Sequence, residues 1–249
     1  MPEAPPEERS REGLRPHGRR SSSYPRRQHC SGMAPRRRPM LVSVQMSGLA
    51  DPVVVAALVP FRLVVLGASA GGLAPLRDVL SGLPADFPIP IVVVHHLGAD
   101  LRSRLPEVLN FRSQLPCRWV VSGELPRSGT VLVAPAGANL VLQMDGRLEV
   151  VPGPKPRLGW PSVDLFLTSV ASVLGRHAIG VILSGMMWDG AAGIAALRRA
   201  GGATLVQHPR SAAFPDMPSA AVDLGRADLM MPPHQIALAL QILAEAGVH

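Results

Sequence analysis

From Phe61 onward the chain alternates short, continuous apolar runs with stretches whose apolar residues recur at helical spacing, and this alternation constrains the fold more than any other feature. A run of a few apolar residues bounded by Gly, Pro or His fits a strand buried on both faces, and such strands belong to parallel sheets covered by helices. Arg62 to Gly67 and Ile91 to His95 read as two strands of this kind, with a helix expected over Gly71 to Leu80. After Pro161 a helix is expected to about Arg176, then a strand over Ala178 to Leu183, a helix over Ala191 to Ala200 and a strand over Ala203 to Val206. A helix around Ser219 to Leu224, a short strand near Asp228 to Met231 and a last helix from His234 complete the pattern. Between the two halves, Thr130 to Ala134 and the pair Asn139–Gln143 and Arg147–Val151 read as an inserted antiparallel element, because Asp145-Gly146 between alternating runs is a strong hairpin signal. The expected fold class is α/β: a doubly wound, mainly parallel, Rossmann-like sheet with an inserted antiparallel hairpin and helices on both faces.

Charge divides the chain at residue 60. Of 249 residues with a net charge of +7, the first sixty hold ten arginines against five acids, which leaves fifteen basic and thirteen acidic groups in the remainder. A nearly neutral body argues against a nucleic-acid-binding surface, and an aromatic content of 4% argues against base-stacking platforms. Residues 1–60, rich in Arg, Pro and Ser, are expected to be a disordered tail, and residues 61–249 a single catalytic domain. Translation starting at Met33, Met40 or Met46 is an alternative account of the tail. Cys30 and Cys117 supply neither a disulfide framework nor a metal-ligand spacing, so no metal or other cofactor is expected, and a reducing, cytoplasmic setting is. The most apolar stretch, Val53 to Leu66, is interrupted by Pro60 and Arg62, so no membrane insertion is expected either.

In doubly wound sheets ligands bind beyond the carboxyl ends of the strands, so the residues that follow each apolar run are the informative ones. The first run ends in Gly67-Ala68-Ser69-Ala70-Gly71-Gly72. This Gly-x-Ser-x-Gly pattern fits a tight strand-to-helix turn that exposes a nucleophilic hydroxyl at a helix N-terminus, whose free N–H groups suit an oxyanion. A dinucleotide-binding turn fits less well, since Ser69 stands where the second glycine belongs and no acid ends the second strand. That strand ends instead in His95-His96, and because adjacent strand residues point to opposite faces, one of the two imidazoles at most reaches Ser69. Asp189, between the Ala178 to Leu183 strand and the next helix, reads either as a helix N-cap or as the carboxylate that orients an imidazole. Nucleophile, base and carboxylate at three strand ends favour the second reading.

These motifs resemble those of the chemotaxis protein-glutamate methylesterases, the CheB family, in their catalytic domain. The resemblance runs from about Leu63 to Leu243. Gly67 to Gly72 looks like the family's nucleophile turn, His96 like the histidine of its Gln-His-Met/Leu motif, and Gly185-Met186-Met187-Trp188-Asp189-Gly190-Ala191-Ala192-Gly193 like its Gly-Met-Gly-x-Asp-Gly-Ala-x-Gly. Ala134-Pro135, Pro161-Ser162-Val163-Asp164, Gln207 and Met217-Pro218 are further matches. The resemblance implies a Ser69, His96, Asp189 triad, an acyl-enzyme, and hydrolysis of glutamate γ-methyl esters with deamidation of glutamines as a related activity. It points to the backbone N–H of Met186 for the oxyanion, with Ala70 in the turn as a second source. The implied partners are the cytoplasmic domain of a methylated chemoreceptor and, beside it, a receptor methyltransferase or a separate response regulator.

The chain departs from the family pattern at His95, which replaces Gln, at Met187, which replaces Gly, and at Asp216, which precedes Met-Pro where Gly is common. The family's usual receiver domain has no counterpart in the short polar tail, so control by phosphorylation within the same chain is not expected. A non-catalytic docking module of the same fold and a small-ester hydrolase are the alternative functions.

Overall fold

The strand Leu63–Ala68 is buried along its whole length, and its alternate residues feed two separate cores. In a computed structural model of the chain, which describes residues 41–44, 53–56, 60–97, 103–152, 160–225 and 227–246, that strand lies inside a seven-stranded parallel sheet. In chain order the elements are β1 (Leu41–Val44), β2 (Val53–Ala56), β3 (Leu63–Ala68), α1 (Leu73–Ser81), β4 (Ile91–His95), α2 (Leu105–Asn110), β5 (Cys117–Trp119), β6 (Val131–Val133), β7 (Asn139–Leu142) and β8 (Leu148–Val151). They continue with α3 (Val163–Val173), β9 (Ala178–Ile182), α4 (Ala191–Arg199), β10 (Ala203–Gln207), α5 (Asp216–Asp223), β11 (Leu229–Met231) and α6 (Pro233–Ala246).

The sheet order is β11-β10-β9-β3-β4-β6-β5, so the chain starts in the middle with β3, fills one side, and then crosses back to fill the other. On one face Val64, Leu66 and Ala68 pack with Leu76 and Leu80 of α1, Leu109 of α2 and Leu240 of α6. On the other, Leu63 and Val65 pack with Phe166 and Val170 of α3, Leu197 of α4 and Ala221 of α5. Each fully buried aliphatic side chain contributes roughly 1.5–3 kcal/mol, so these two layers dominate the stability of the sheet. The antiparallel pair β7–β8 lies outside the main sheet and adds Leu140, Leu142 and Leu148 to the α3 face.

The fold class matches the expectation, with three differences of detail. Thr130 to Ala134 was grouped with the antiparallel insertion, but β6 pairs parallel with both β4 and β5 inside the main sheet. Its apolar triplet is buried on both faces, which marks a central strand. The edge strand β5 and the short helix α2 had no legible signal in the sequence. In the stretch 1–60, expected to lack regular structure, β1 and β2 pair antiparallel, as their β-branched runs favour, whereas residues 1–40, 45–52 and 57–59, with Cys30 and the three internal methionines, lie outside the described residues.

Gly190, the residue that opens α4, sits at φ 101°, and a Cβ placed there would stand 2.5 Å from Ile182 Cδ1 and 3.1 Å from Val163 Cγ1. Left-handed backbone and close approach both exclude a side chain. Gly190→Ala is expected to lower the unfolding free energy by about 1–3 kcal/mol, read as a drop in the urea midpoint at an unchanged slope.

Candidate active site

Strands β4, β3 and β9 are neighbours in the sheet and parallel, so their carboxyl ends open side by side at the point where the winding reverses. Ser69 follows β3, His96 follows β4, and Asp189 lies in the loop between β9 and α4. The structure brings the three into one relay. Ser69 Oγ is 3.0 Å from His96 Nδ1, and His96 Nε2 is 2.7 Å from Asp189 Oδ2. An ionised Asp189 can only accept, so the ring proton resides on Nε2 and the Nδ1 lone pair faces the Ser69 hydroxyl. His96 is 12% exposed and Asp189 1%, so the relay runs from a half-buried hydroxyl to a buried anion.

Asp189 is held at the N-terminus of α3. Its Oδ2 also accepts the Val163 N–H at 2.7 Å, and its Oδ1 accepts the Asp164 N–H at 2.9 Å and the Ser162 hydroxyl at 3.2 Å. Burial alone would raise its pKa, but hydrogen bonds from His96 and from the N–H groups of Asp164 and Val163 outweigh burial and hold the carboxyl below the ordinary range. It therefore both caps a helix and orients the imidazole; the two readings of Asp189 are one arrangement, with the capped helix α3 rather than its own α4.

Asp164 returns the contact. Its Oδ1 accepts the N–H groups of Gly190 at 2.9 Å and Gly193 at 2.7 Å, in the first turn of α4. Burial first, and the charge of Asp189 after it, raise its pKa to about 6 despite those two donors.

The helix after the serine turn begins at Leu73 and not at Gly71, so Ser69 stands four residues ahead of it. The turn closes on itself, with the Gly72 N–H donating to Ser69 O at 2.9 Å and Gly71 at φ 68°. Among the described residues, the backbone N–H groups of Ala70 and Met186 have no acceptor. Among the described residues Met187 is the non-glycine residue at positive φ, 65°, and its N–H lies 3.3 Å from Asp216 Oδ2. Two of the three departures from the family pattern thus touch each other.

His95 makes no hydrogen bond to the Ser69 hydroxyl or to Asp189 among the described residues; its Nδ1 lies 3.0 Å from its neighbour's carbonyl, His96 O. Burial pushes its pKa down to about 4. One residue of the site had no signal in the sequence. Ser184, fully buried at the end of β9, accepts the Ser69 N–H on its carbonyl at 3.0 Å and donates its hydroxyl to Ala70 O at 2.9 Å. The same hydroxyl accepts the Phe214 N–H at 3.0 Å, and the Ser184 N–H donates to Gln207 Oε1 at 2.8 Å. Ser184 so ties the serine turn to the loops after β9 and β10. Among the described residues no group of three or more His, Cys, Asp or Glu could hold a metal ion, and no helix is long and apolar enough to cross a membrane.

The profile of the CheB methylesterase family matches residues 64–240. The chain is 40% identical over 186 residues to the protein-glutamate methylesterase/protein-glutamine glutaminase 2 of Cupriavidus metallidurans, a match that covers 75% of this chain and 55% of that protein. It is 38% identical to the protein-glutamate methylesterase/protein-glutamine glutaminase of Symbiobacterium thermophilum, covering 73% and 50%. The chain thus spans about half the length of the curated relatives it matches. The crystal structure of the Thermotoga maritima CheB methylesterase catalytic domain superposes with a TM-score of 0.70 at 30% identity, over 74% of this chain and 100% of that one.

The burial of His95 has a consequence for acid stability. In the unfolded chain its ring takes up a proton below the ordinary 6.5, while the folded ring stays neutral down to about 4, so stability is lost as pH falls through that window. Replacing the ring removes the term: His95→Gln is expected to lose about 2–3 kcal/mol less stability than wild type between pH 7 and pH 4.5, measured by urea unfolding at both values.

Proposed function

The chain belongs to the CheB methylesterase family, and from that premise we propose that it is a protein-glutamate methylesterase that hydrolyses glutamate γ-methyl esters on chemoreceptors through an acyl-enzyme on Ser69. The observation that carries the reading is the continuous relay Ser69 Oγ, His96 Nδ1, His96 Nε2, Asp189 Oδ2, with contacts of 3.0 and 2.7 Å.

The steps follow from that geometry. Ser69 Oγ attacks the γ-carbonyl carbon of the ester while its proton passes to His96 Nδ1. The imidazolium that forms keeps its Nε2 proton on Asp189, whose charge stabilises it without taking the proton. The carbonyl oxygen becomes an oxyanion, for which the acceptor-free N–H groups of Met186 and Ala70 are the donors. Collapse breaks the bond to the methoxy oxygen, His96 Nδ1 supplies its proton, and methanol leaves. Water then attacks the Ser69 ester with His96 again as base, which frees glutamate and restores the hydroxyl. A glutamine side chain would follow the same course with ammonia as the leaving group, in keeping with the second half of the relatives' names.

A protein substrate suits the rim of this site. Met186, Trp188 and Phe214 on the loops around the serine turn, and Leu73 at the start of α1, are large apolar side chains left exposed. Such a surface is suited to a helical protein face more than to a free small ester. Methylated receptor is the substrate with which to test the reading. Ser69→Ala is expected to lower methanol release by about 10⁴- to 10⁶-fold while the protein stays folded, and full activity in that variant would refute the mechanism. His96→Ala should be as inactive, and His95→Gln should remain active; the reverse pattern would move the base to His95.

A further inference from the structure

Resting on the triad reading above, we propose that Asp164 is a positioning residue for Asp189, a second carboxylate that acts on the reaction through the first. Asp164 holds Asp189 at both ends. Its backbone N–H donates to the Asp189 carboxylate at 2.9 Å, which fixes where that side chain terminates. Its own carboxylate accepts the N–H of Gly190, the residue directly after Asp189, at 2.9 Å, which fixes where that side chain begins. The second bond of the same oxygen, from the Gly193 N–H at 2.7 Å, locks this turn to the body of α4. Helix α4 has no side-chain cap of its own, because its N-cap position is Gly190.

The two carboxylates are therefore exchanged between helices: Asp189 caps α3 and Asp164 caps α4. Both lie at positive helix ends, which stabilises two negative charges in one place. Capping alone needs no charge, since Asn or Ser would accept the same two N–H groups without repelling Asp189. The hold of Asp164 on Asp189 therefore rests on where the acceptor stands, which an uncharged amide also supplies. Other ionisable groups do not share this role. Helix α3 carries none besides Asp164, strands β3, β7 and β9 carry none, His95 is neutral, and Arg198 and Arg199 of α4 lie in its last turn, with Arg198 bonded to Asp228. Asp164 touches neither Ser69 nor His96, so its influence passes through the orientation of Asp189.

The test uses the full chain and two readouts that need no receptor: the rate of Ser69-dependent labelling by a fluorophosphonate, with Ser69→Ala as the blank, and the downfield proton resonance of His96 Nε2. Asp164→Ala is expected to slow labelling about a hundredfold and to abolish the resonance, and Asp164→Asn, which keeps an acceptor for both glycines, to recover both to within about tenfold of wild type. Asp164→Glu keeps charge and capping chemistry but displaces the carboxylate by one methylene. With a wild-type unfolding midpoint it should still label at least about tenfold more slowly, and it decides the matter where the alanine variant does not fold. A folded alanine or glutamate variant that labels at the wild-type rate and keeps the resonance overturns the positioning role. A wild-type protein that does not label overturns the catalytic reading instead, and the resonance in the Asp164 variants then decides the positioning role by itself.

Discussion

The site depends on keeping one carboxylate charged in the interior. Asp189 is 1% exposed, and an unpaired anion at such a position would cost several kcal/mol. Four donors meet it: the Val163 and Asp164 N–H groups, the Ser162 hydroxyl and His96 Nε2. Hydrogen bonds to a charged group contribute about 1.5–3 kcal/mol each, so the set offsets the desolvation. Two of the four are N–H groups of the first turn of α3, which have no intrahelical partner in any case, and a third is the hydroxyl of Ser162, the residue that caps that helix. The fourth comes from the His96 ring. Imidazole orientation and helix capping are therefore one interaction, and a change that disturbs the packing of α3 against α4 reaches His96 through Asp189.

Topology makes that interaction available. Strand β3 has β4 on one side and β9 on the other, so the three loops that carry Ser69, His96 and Asp189 leave adjacent strands in the same direction. The helices that follow β3 and β9 depart to opposite faces, which leaves the crevice between them open. Ser184 closes its floor by taking the Ser69 N–H on its carbonyl and bridging Ala70 and Phe214 with its hydroxyl. Gln207, 1% exposed, extends the tie from Ser184 N–H to Ser211 O. Ser69 is held by bonds from both halves of the sheet, so its geometry exists only once β3 has paired with β9.

This also accounts for what was legible in the sequence. The central strands announced themselves, since LVVLGA, IVVVH and AIGVI are buried nearly throughout and no helical face explains such runs. Ser69, His96 and Asp189 were legible because they stand at the ends of those runs, and the resemblance selected His96 over His95. The ring edge presented to each partner was not legible, because it follows from how far β4 extends past β3. Strand β5 is three residues long, one buried, one exposed and one half-buried, too short for a period to show. Ser184 is an ordinary serine in the sequence; its partners Ala70 and Phe214 lie 114 and 30 residues away. Asp164 was visible as part of a motif, but its reciprocal bond to Gly190 and Gly193 spans 26 and 29 residues and belongs to helix packing alone.

The loop after β9 carries the one local conflict. Its turn requires a left-handed residue, which the family supplies as glycine and this chain as Met187, at φ 65°. A side chain in that region costs about 1–2 kcal/mol. Asp216, itself a departure from the family, places its carboxylate 3.3 Å from the Met187 N–H. An exposed bond of that length returns at most about 1 kcal/mol, so part of the strain stays in the loop. It resides one residue from the Met186 N–H assigned to the oxyanion, and beside a negative charge.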